Sequence, residues 1–170
     1  MTARYSVRPL VRDDAAAYRE VRLFGLKDTP EAFSSSHEEE SALSVADFRN
    51  RIPVDQRSQT FGAFDGDRLV GLAGFFANER VRKKHLGTLG AVYVRPEARG
   101  AGLGALLVEA VIAQARGRVK FLQAGVAVEN HHAKRVYYGL GFKQYGLEPQ
   151  AICVDGVFYD EELIVLALEG

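Results

Sequence analysis

The chain has 170 residues, of which 47% are apolar, and its 22 basic and 22 acidic side chains leave no formal net charge. That length suits a single compact domain with a full core, covering residues 1–170. A balanced chain has no global field to hold it on nucleic acid or on an anionic membrane, so neither is expected as a partner.

Residues 1–9 carry Arg4 and Arg8 and lack the apolar run of a secretory signal. Tyr5-Ser6-Val7-Arg8 alternates and predicts a short first strand. Asp13 or Asp14 can cap a helix that runs to about Phe24, with Tyr18, Val21 and Phe24 at helical spacing and Gly25 as its stop. Residues 26–43, with Pro30 and Ser34-Ser35-Ser36, form the most irregular stretch. Ser44 followed by Asp47 predicts a capping box opening a short helix to about Ile52. Residues 60–64 and 69–77 are β-prone runs joined by Asp65-Gly66-Asp67, a hairpin signal. The basic stretch 80–85 reads as a solvated hairpin tip before a fourth strand over 86–94.

Arg95-Pro96-Glu97-Ala98-Arg99-Gly100-Ala101-Gly102-Leu103-Gly104 follows, and then a helix to about Arg116. Its apolar part, 105–115, contains Glu109 and is too short to span a bilayer, which takes about 20 residues. A strand over 121–128, a helix opened by Asn130 and ending near Leu140-Gly141, and strand-like runs at 142–147 and 151–154 come next. Asp155-Gly156 is a tight turn before a last strand to Leu168. The single cysteine, Cys153, excludes an internal disulfide, which points to a reducing compartment and a cytoplasmic location. It lies in an apolar run and is expected to be a buried strand residue. Hairpins build an antiparallel section and two β-to-α crossovers a parallel one, so the pattern is that of a mixed α/β domain.

Chemistry is concentrated in 99–104, between a strand and a helix. The first N–H groups of a helix have no intrahelical partner, and its dipole places partial positive charge there. Glycines allow φ > 0 and remove the Cβ atoms that would keep an anion away. The loop is therefore suited to a pyrophosphate, with Arg99 available for charge-assisted hydrogen bonds. A nucleoside triphosphate loop is excluded because no Lys-Ser or Lys-Thr follows Gly104. Gly100, Gly102 and Ala105 satisfy the dinucleotide pattern G-x-G-x-x-A, with Glu129 near the position of its acidic residue, but residues 95–99 separate the motif from its strand. That alternative stays open on these residues.

Arg99, Gly102 and Gly104 also fill the form Gln/Arg-x-x-Gly-x-Gly/Ala. Asn130, Ala133, Val136, Tyr137, Gly141 and Phe142 fill Asn-x-x-Ala-x-x-aliphatic-Tyr-x-x-x-Gly-Phe. In this order and at this separation the two motifs resemble those of the GNAT superfamily of acetyl-CoA-dependent N-acetyltransferases. The resemblance covers nearly the whole chain and is weakest over residues 1–58. It implies an α/β (α+β) fold with a centrally splayed sheet of six to seven strands flanked by about four helices. It also implies acetyl-CoA as cosubstrate. The pantetheine arm would bond the fourth strand at Val92, Tyr93 and Val94, and the pyrophosphate would rest on Arg99, Gly100, Ala101, Gly102, Leu103 and Gly104. Asn130 would bond the pantetheine, and an N–H at Val92 or its neighbour would meet the oxyanion.

At its position in the motif a tyrosine is the usual general acid, here Tyr137. A phenol with a pKa near 10 keeps its proton at neutral pH and can share it with a thiolate whose conjugate acid lies near 8.5. Tyr138 faces another direction on the helix and is expected to be structural. No base is named, because Thr88-Leu89-Gly90-Ala91-Val92 lacks the fourth-strand glutamate of some relatives. Proton removal could pass through water, Glu31, Glu148 or Asp160, and His131 and His132 read as solvated. The acceptor, a small-molecule or peptide amine, is expected between residues 22–36 (Arg22, Phe24, Glu31 and Phe33) and the last two strands, where Glu148 and Asp160 could attract a cationic amine. No metal site is expected, a homodimer is left open, and a non-catalytic acyl-CoA sensor is the main alternative function.

Overall fold

A computed structural model describes residues 4–169. Its strands are β1 (Tyr5–Pro9), β2 (Ser58–Asp65), β3 (Arg68–Ala77), β4 (Leu86–Val94), β5 (Phe121–Ala127), β6 (Lys143–Val154) and β7 (Val157–Ala167). They form one seven-stranded sheet in the order β1-β2-β3-β4-β5-β7-β6. The helices are α1 (Ala15–Asp28), α2 (His37–Ser41), α3 (Val45–Arg51), α4 (Leu103–Ala115) and α5 (His131–Gly139). Neighbouring strands are antiparallel except β4 and β5, which α4 joins as a parallel crossover. The β6–β7 turn is tight because Asp155 and Gly156 both take positive φ, the geometry that matches strand twist in a two-residue hairpin.

The sheet separates two cores. On one face, Leu107, Val108, Val111 and Ile112 of α4 recur at helical spacing and pack on Phe61, Phe75, Leu89, Leu122 and Ile164. On the other, Tyr18, Val21 and Leu26 of α1 and Phe48 of α3 pack on Phe64, Leu72 and Tyr93. Tyr18 and Phe48 meet edge to face, with ring centroids 5.2 Å apart. No helix among the described residues is long and apolar enough to cross a membrane.

Several expectations need correction. Helix α1 continues through Gly25 to Asp28. A Cβ at Gly25 would lie 3.0 Å from the Tyr93 ring, so the glycine admits an aromatic side chain instead of ending the helix. The stretch expected to be irregular contains α2, whose Ser36 and Glu39 form a reciprocal capping box. That signature stands in the sequence and brings the helices to five. The runs at 142–147 and 151–154 are one strand, β6, with a register shift between Glu148 and Ile152 and positive φ at Gln150. Cys153 is exposed, not buried. It lies on the outermost strand, where alternate side chains meet solvent. The box predicted at Ser44 and Asp47 is present.

Candidate active site

The central feature is a gap in the sheet. Strands β4 and β5 pair only at Leu86↔Phe121, Gly87↔Leu122 and Thr88↔Gln123. Beyond Thr88 they diverge, while β5 stays paired with β7 as far as Ala127. A bulge accompanies the divergence. Leu72 pairs with Tyr93 and Gly74 with Gly90, so Ala73 alone opposes both Ala91 and Val92. Ala91 takes a φ of 56°, in the left-handed region, although it is not glycine. Such a conformation costs about 1–2 kcal/mol for an L-residue. The bulge bends β4 and re-aims its main-chain N–H and C=O groups, here along the edge that borders the gap at Ala91 and Val92.

The glycine loop 99–104 lies at the end of β4, past a 3-10 turn at Pro96–Ala98. Gly100 has φ +81° and Gly102 φ +78°, and a Cβ at 100, 102 or 104 would meet nothing within 4 Å. The α4 ladder starts with the Leu106 N–H donating to the Gly102 carbonyl at 3.1 Å. The N–H groups of 103–105 precede that first bond and are left without intrahelical partners. The first turn of α4 has no acidic residue to compete for them.

Arg99 does more than border this loop. Its Nε donates to the Val94 carbonyl at 3.0 Å and its Nη2 to Asp28 Oδ2 at 2.8 Å. The Tyr93 hydroxyl donates to the same Asp28 oxygen at 2.8 Å. The Tyr93 hydrogen bond, with help from Arg99, holds the Asp28 carboxyl below its usual range against a smaller opposing effect of burial. The Tyr93 side chain therefore belongs to the α1 face and leaves only its main chain for a ligand in the gap. The Asp28 link was not legible in the sequence, because 65 residues separate it from Tyr93 and 71 from Arg99.

At the other border of the gap, Asn130 Oδ1 accepts the Ala133 N–H at 3.1 Å and caps α5. Tyr137 is 7% exposed and lies in the same core cluster as Ala124 and Val126 of β5. Burial pushes its phenol up to about 12. Among the described residues its hydroxyl has no hydrogen-bond partner, yet the one fully buried side-chain polar atom without a partner is Arg95 Nε. The Tyr137 hydroxyl therefore keeps an opening. Tyr138 is tied instead to Glu162, which also pairs with Lys134 at 2.8 Å. That bracket fits its expected structural role.

A groove of roughly 670 Å³ runs between the end of α1, residues 30–39, and Ala151, Ile152, Cys153, Val154 and Asp155 of β6 and its turn. Of the expected acceptor residues, Phe33 lines it. Arg22 instead pairs with the buried Glu40, which Arg51 also contacts. Phe24 faces outward beneath Arg95, 4.8 Å from ring centroid to guanidinium carbon. Asp160 Oδ1 accepts the Gln150 N–H and supports the β6 bulge. Glu148 sits directly across from Glu161, a residue that sequence reasoning missed. Burial and the charge of Glu148 push the Glu161 carboxyl up.

The dinucleotide alternative fails on the sheet, whose one parallel pair has three rungs, instead of the continuous parallel sheet that motif requires.

Solved structures share this architecture. A GNAT family acetyltransferase from Streptococcus pneumoniae superimposes with a TM-score of 0.83 at 24% identity, covering 97% of this chain and 99% of that one. A ribosomal-protein-alanine N-acetyltransferase from Brucella melitensis gives 0.78 at 23%, covering 96% and 99%. A phosphinothricin acetyltransferase from Sinorhizobium meliloti, in complex with acetyl-CoA, gives 0.79 at 21%, covering 98% and 89%. The sequence profile of the acetyltransferase (GNAT) family matches residues 23–142. On that match the chain belongs to the acetyltransferase (GNAT) family and is an acyltransferase.

Proposed function

We propose that the protein is an N-acetyltransferase that moves the acetyl group of acetyl-CoA to a primary amine by direct attack, with Tyr137 as general acid. The observation that carries this reading is the combination of an open, glycine-built helix start at the end of β4 with a sheet gap that opens from Thr88 towards that end. The pyrophosphate would be held by the N–H groups of 100–105, where donors and helix dipole both favour an anion. The pantetheine arm would extend along Val92, Tyr93 and Val94 and replace the strand partner that β4 lacks, with the Asn130 amide nitrogen on the opposite border. A β4 N–H beside the Ala91 bulge would receive the oxyanion, since donors already fixed in place stabilise developing charge without reorganising.

Tyr137 suits the last step. Its raised phenol remains protonated across the working pH range. When the tetrahedral intermediate collapses, the C–S bond breaks and the thiolate takes the phenol proton. A single domain spanning the chain and a cytoplasmic location belong to the same reading.

A panel of primary amines, assayed for released thiol, tests the proposal. It should contain benzylamine, a polyamine, α-amino acid amides and N-terminal tetrapeptides. We expect at least one acceptor, and coenzyme A should raise Tm in proportion to the logarithm of its concentration well above Kd. Stabilisation by coenzyme A without turnover of any amine would replace the enzyme reading with an acyl-CoA-binding domain. No stabilisation would remove both.

A further inference from the structure

We infer that Glu161 is the general base that takes the proton from the acceptor ammonium, at the mouth of the β4–β5 gap on the face opposite Tyr137. The inference rests on the amine acetylation proposed above and deepens it. The last rung between β4 and β5 is Thr88↔Gln123, so Gly125 is the second β5 residue past the opening. Ala124 and Val126 point into the core that holds Tyr137. Gly125, between them, presents its side-chain position to the other face.

That position is filled from the neighbouring strand. A Cβ on Gly125 would lie 2.6 Å from Glu161 Oε2. Glycine at 125 thus lets a β7 carboxylate lie across β5 towards the strand edge that β4 has left. Tyr137 and Glu161 flank the opening from opposite faces, so a thioester in it would have the acid on one side and the base on the other.

The partners of two adjacent glutamates separate their roles. Glu162 takes Lys134 and Tyr138 on the α5 face. Glu161 enters no ion pair among the described residues. Directly across from it on the same face stands Glu148 of β6, an arrangement of like charges that destabilises a sheet. The other ionisable side chains towards this face include Tyr159, Tyr145 and Lys143 on the strands, the last opposite Val165, with Tyr93 on β4 and Glu31 in the 3-10 turn that packs against β5 and β6. Lys27 and His37 line the groove beyond. Burial, followed by Glu148, makes Glu161 a stronger base than a solvated carboxylate. Glu148 is a positioning residue in this scheme and acts through charge.

The proton balance closes. The ammonium gives one proton to Glu161 and becomes a neutral amine. Its nitrogen forms the C–N bond, and the C–S bond breaks as the thiolate takes the Tyr137 proton. The new amide nitrogen loses its second proton to water, Tyr137 regains one from water and Glu161 discharges its own. One proton is released per amide formed.

The test uses protein labelled with carboxyl-¹³C glutamate, with E161Q identifying the Glu161 resonance. That resonance should titrate above the ordinary carboxylate range, titrate lower in E148Q, and shift when acetyl-CoA is added. With the best amine of the panel, E161Q should lower kcat/KM about 100-fold and remove the acid limb of its pH profile. E148Q should move that limb to lower pH, whatever it does to the maximal rate. Because ionised Glu161 opposes folding, E161Q should melt at or above the wild-type temperature at pH 8, which separates lost chemistry from lost fold. A Glu161 resonance indifferent to acetyl-CoA, or E161Q within twofold of wild type, overturns the base assignment alone. Coenzyme A binding with no amine turned over overturns the enzyme reading, and the base assignment falls with it.

Discussion

The glycine loop after β4 offers main-chain groups, whereas the groove between residues 30–39 and β6 offers side chains. The loop consists of N–H groups exposed by Gly100, Gly102 and Gly104, at positions where a Cβ would meet open space. The groove consists of Phe33, the 34–39 segment and Ala151–Asp155, with the paired carboxylates of Glu148 and Glu161 on β6 and β7. A main-chain site depends on backbone conformation and serves any ligand with the same diphosphate. A side-chain site can change residue by residue, and in the proposed enzyme acceptor choice would reside there.

Substitutions in the loop, the gap and the two cores test this contrast. The largest effect is expected from Gly102→Val, which puts a β-branched residue at φ +78° and a side chain among the N–H donors. Coenzyme A affinity should fall at least about 30-fold, roughly 2 kcal/mol, and the coenzyme A-induced rise in Tm should largely disappear. Retained affinity would mean that the loop is not the diphosphate site. Tyr137→Phe should lower kcat about 100-fold with little change in the KM for acetyl-CoA. With the phenol pushed up to about 12, the wild-type profile should show no loss of the acid below about pH 10. Full activity in the phenylalanine variant would remove Tyr137 from the chemistry.

Next in size is Arg22→Met, which leaves the buried Glu40 with Arg51 as its remaining charged partner. Removing one partner of a buried charge network should lower stability by about 2 kcal/mol, read as a Tm loss of roughly 5 °C, while coenzyme A affinity is unchanged. The smallest effect is expected from Asp28→Asn. The Asp28 carboxyl is depressed in the folded protein, so its contribution is present above the unfolded pKa and lost as pH falls through the folded value. The variant should therefore melt about 2 °C lower at pH 7 and converge on wild type below about pH 4. An equal difference at both pH values would assign the effect to packing.

Legibility from sequence follows the same division. The phosphate loop was readable because glycine spacing records backbone geometry directly, and the α5 cap because Asn130 acts on its own helix. The splay itself came with the family resemblance and not from periodicity, which sees each strand alone. Glu161 was missed because its significance lies in two features of neighbouring strands: the side chain Gly125 does not have, and the position opposite Glu161, where β6 places Glu148. Asp28 was missed because its partners are far away in sequence. Gly25 was read as a helix stop because the ring that needs its space arrives from β4. By contrast, Ser36 and Glu39 were legible as a local signature and were overlooked amid the serines.

The three-rung limit of β4–β5 pairing has a consequence for isotope exchange. Along residues 89–94, amides that bond β3 are held in a sheet ladder, whereas those facing the gap have no strand to protect them. Deuterium uptake in ligand-free protein should therefore alternate along this short segment between slow and fast sites. Added coenzyme A should quench the fast sites and leave the slow ones as they were, so that the strand's own amide clock records where the pantetheine arm lies.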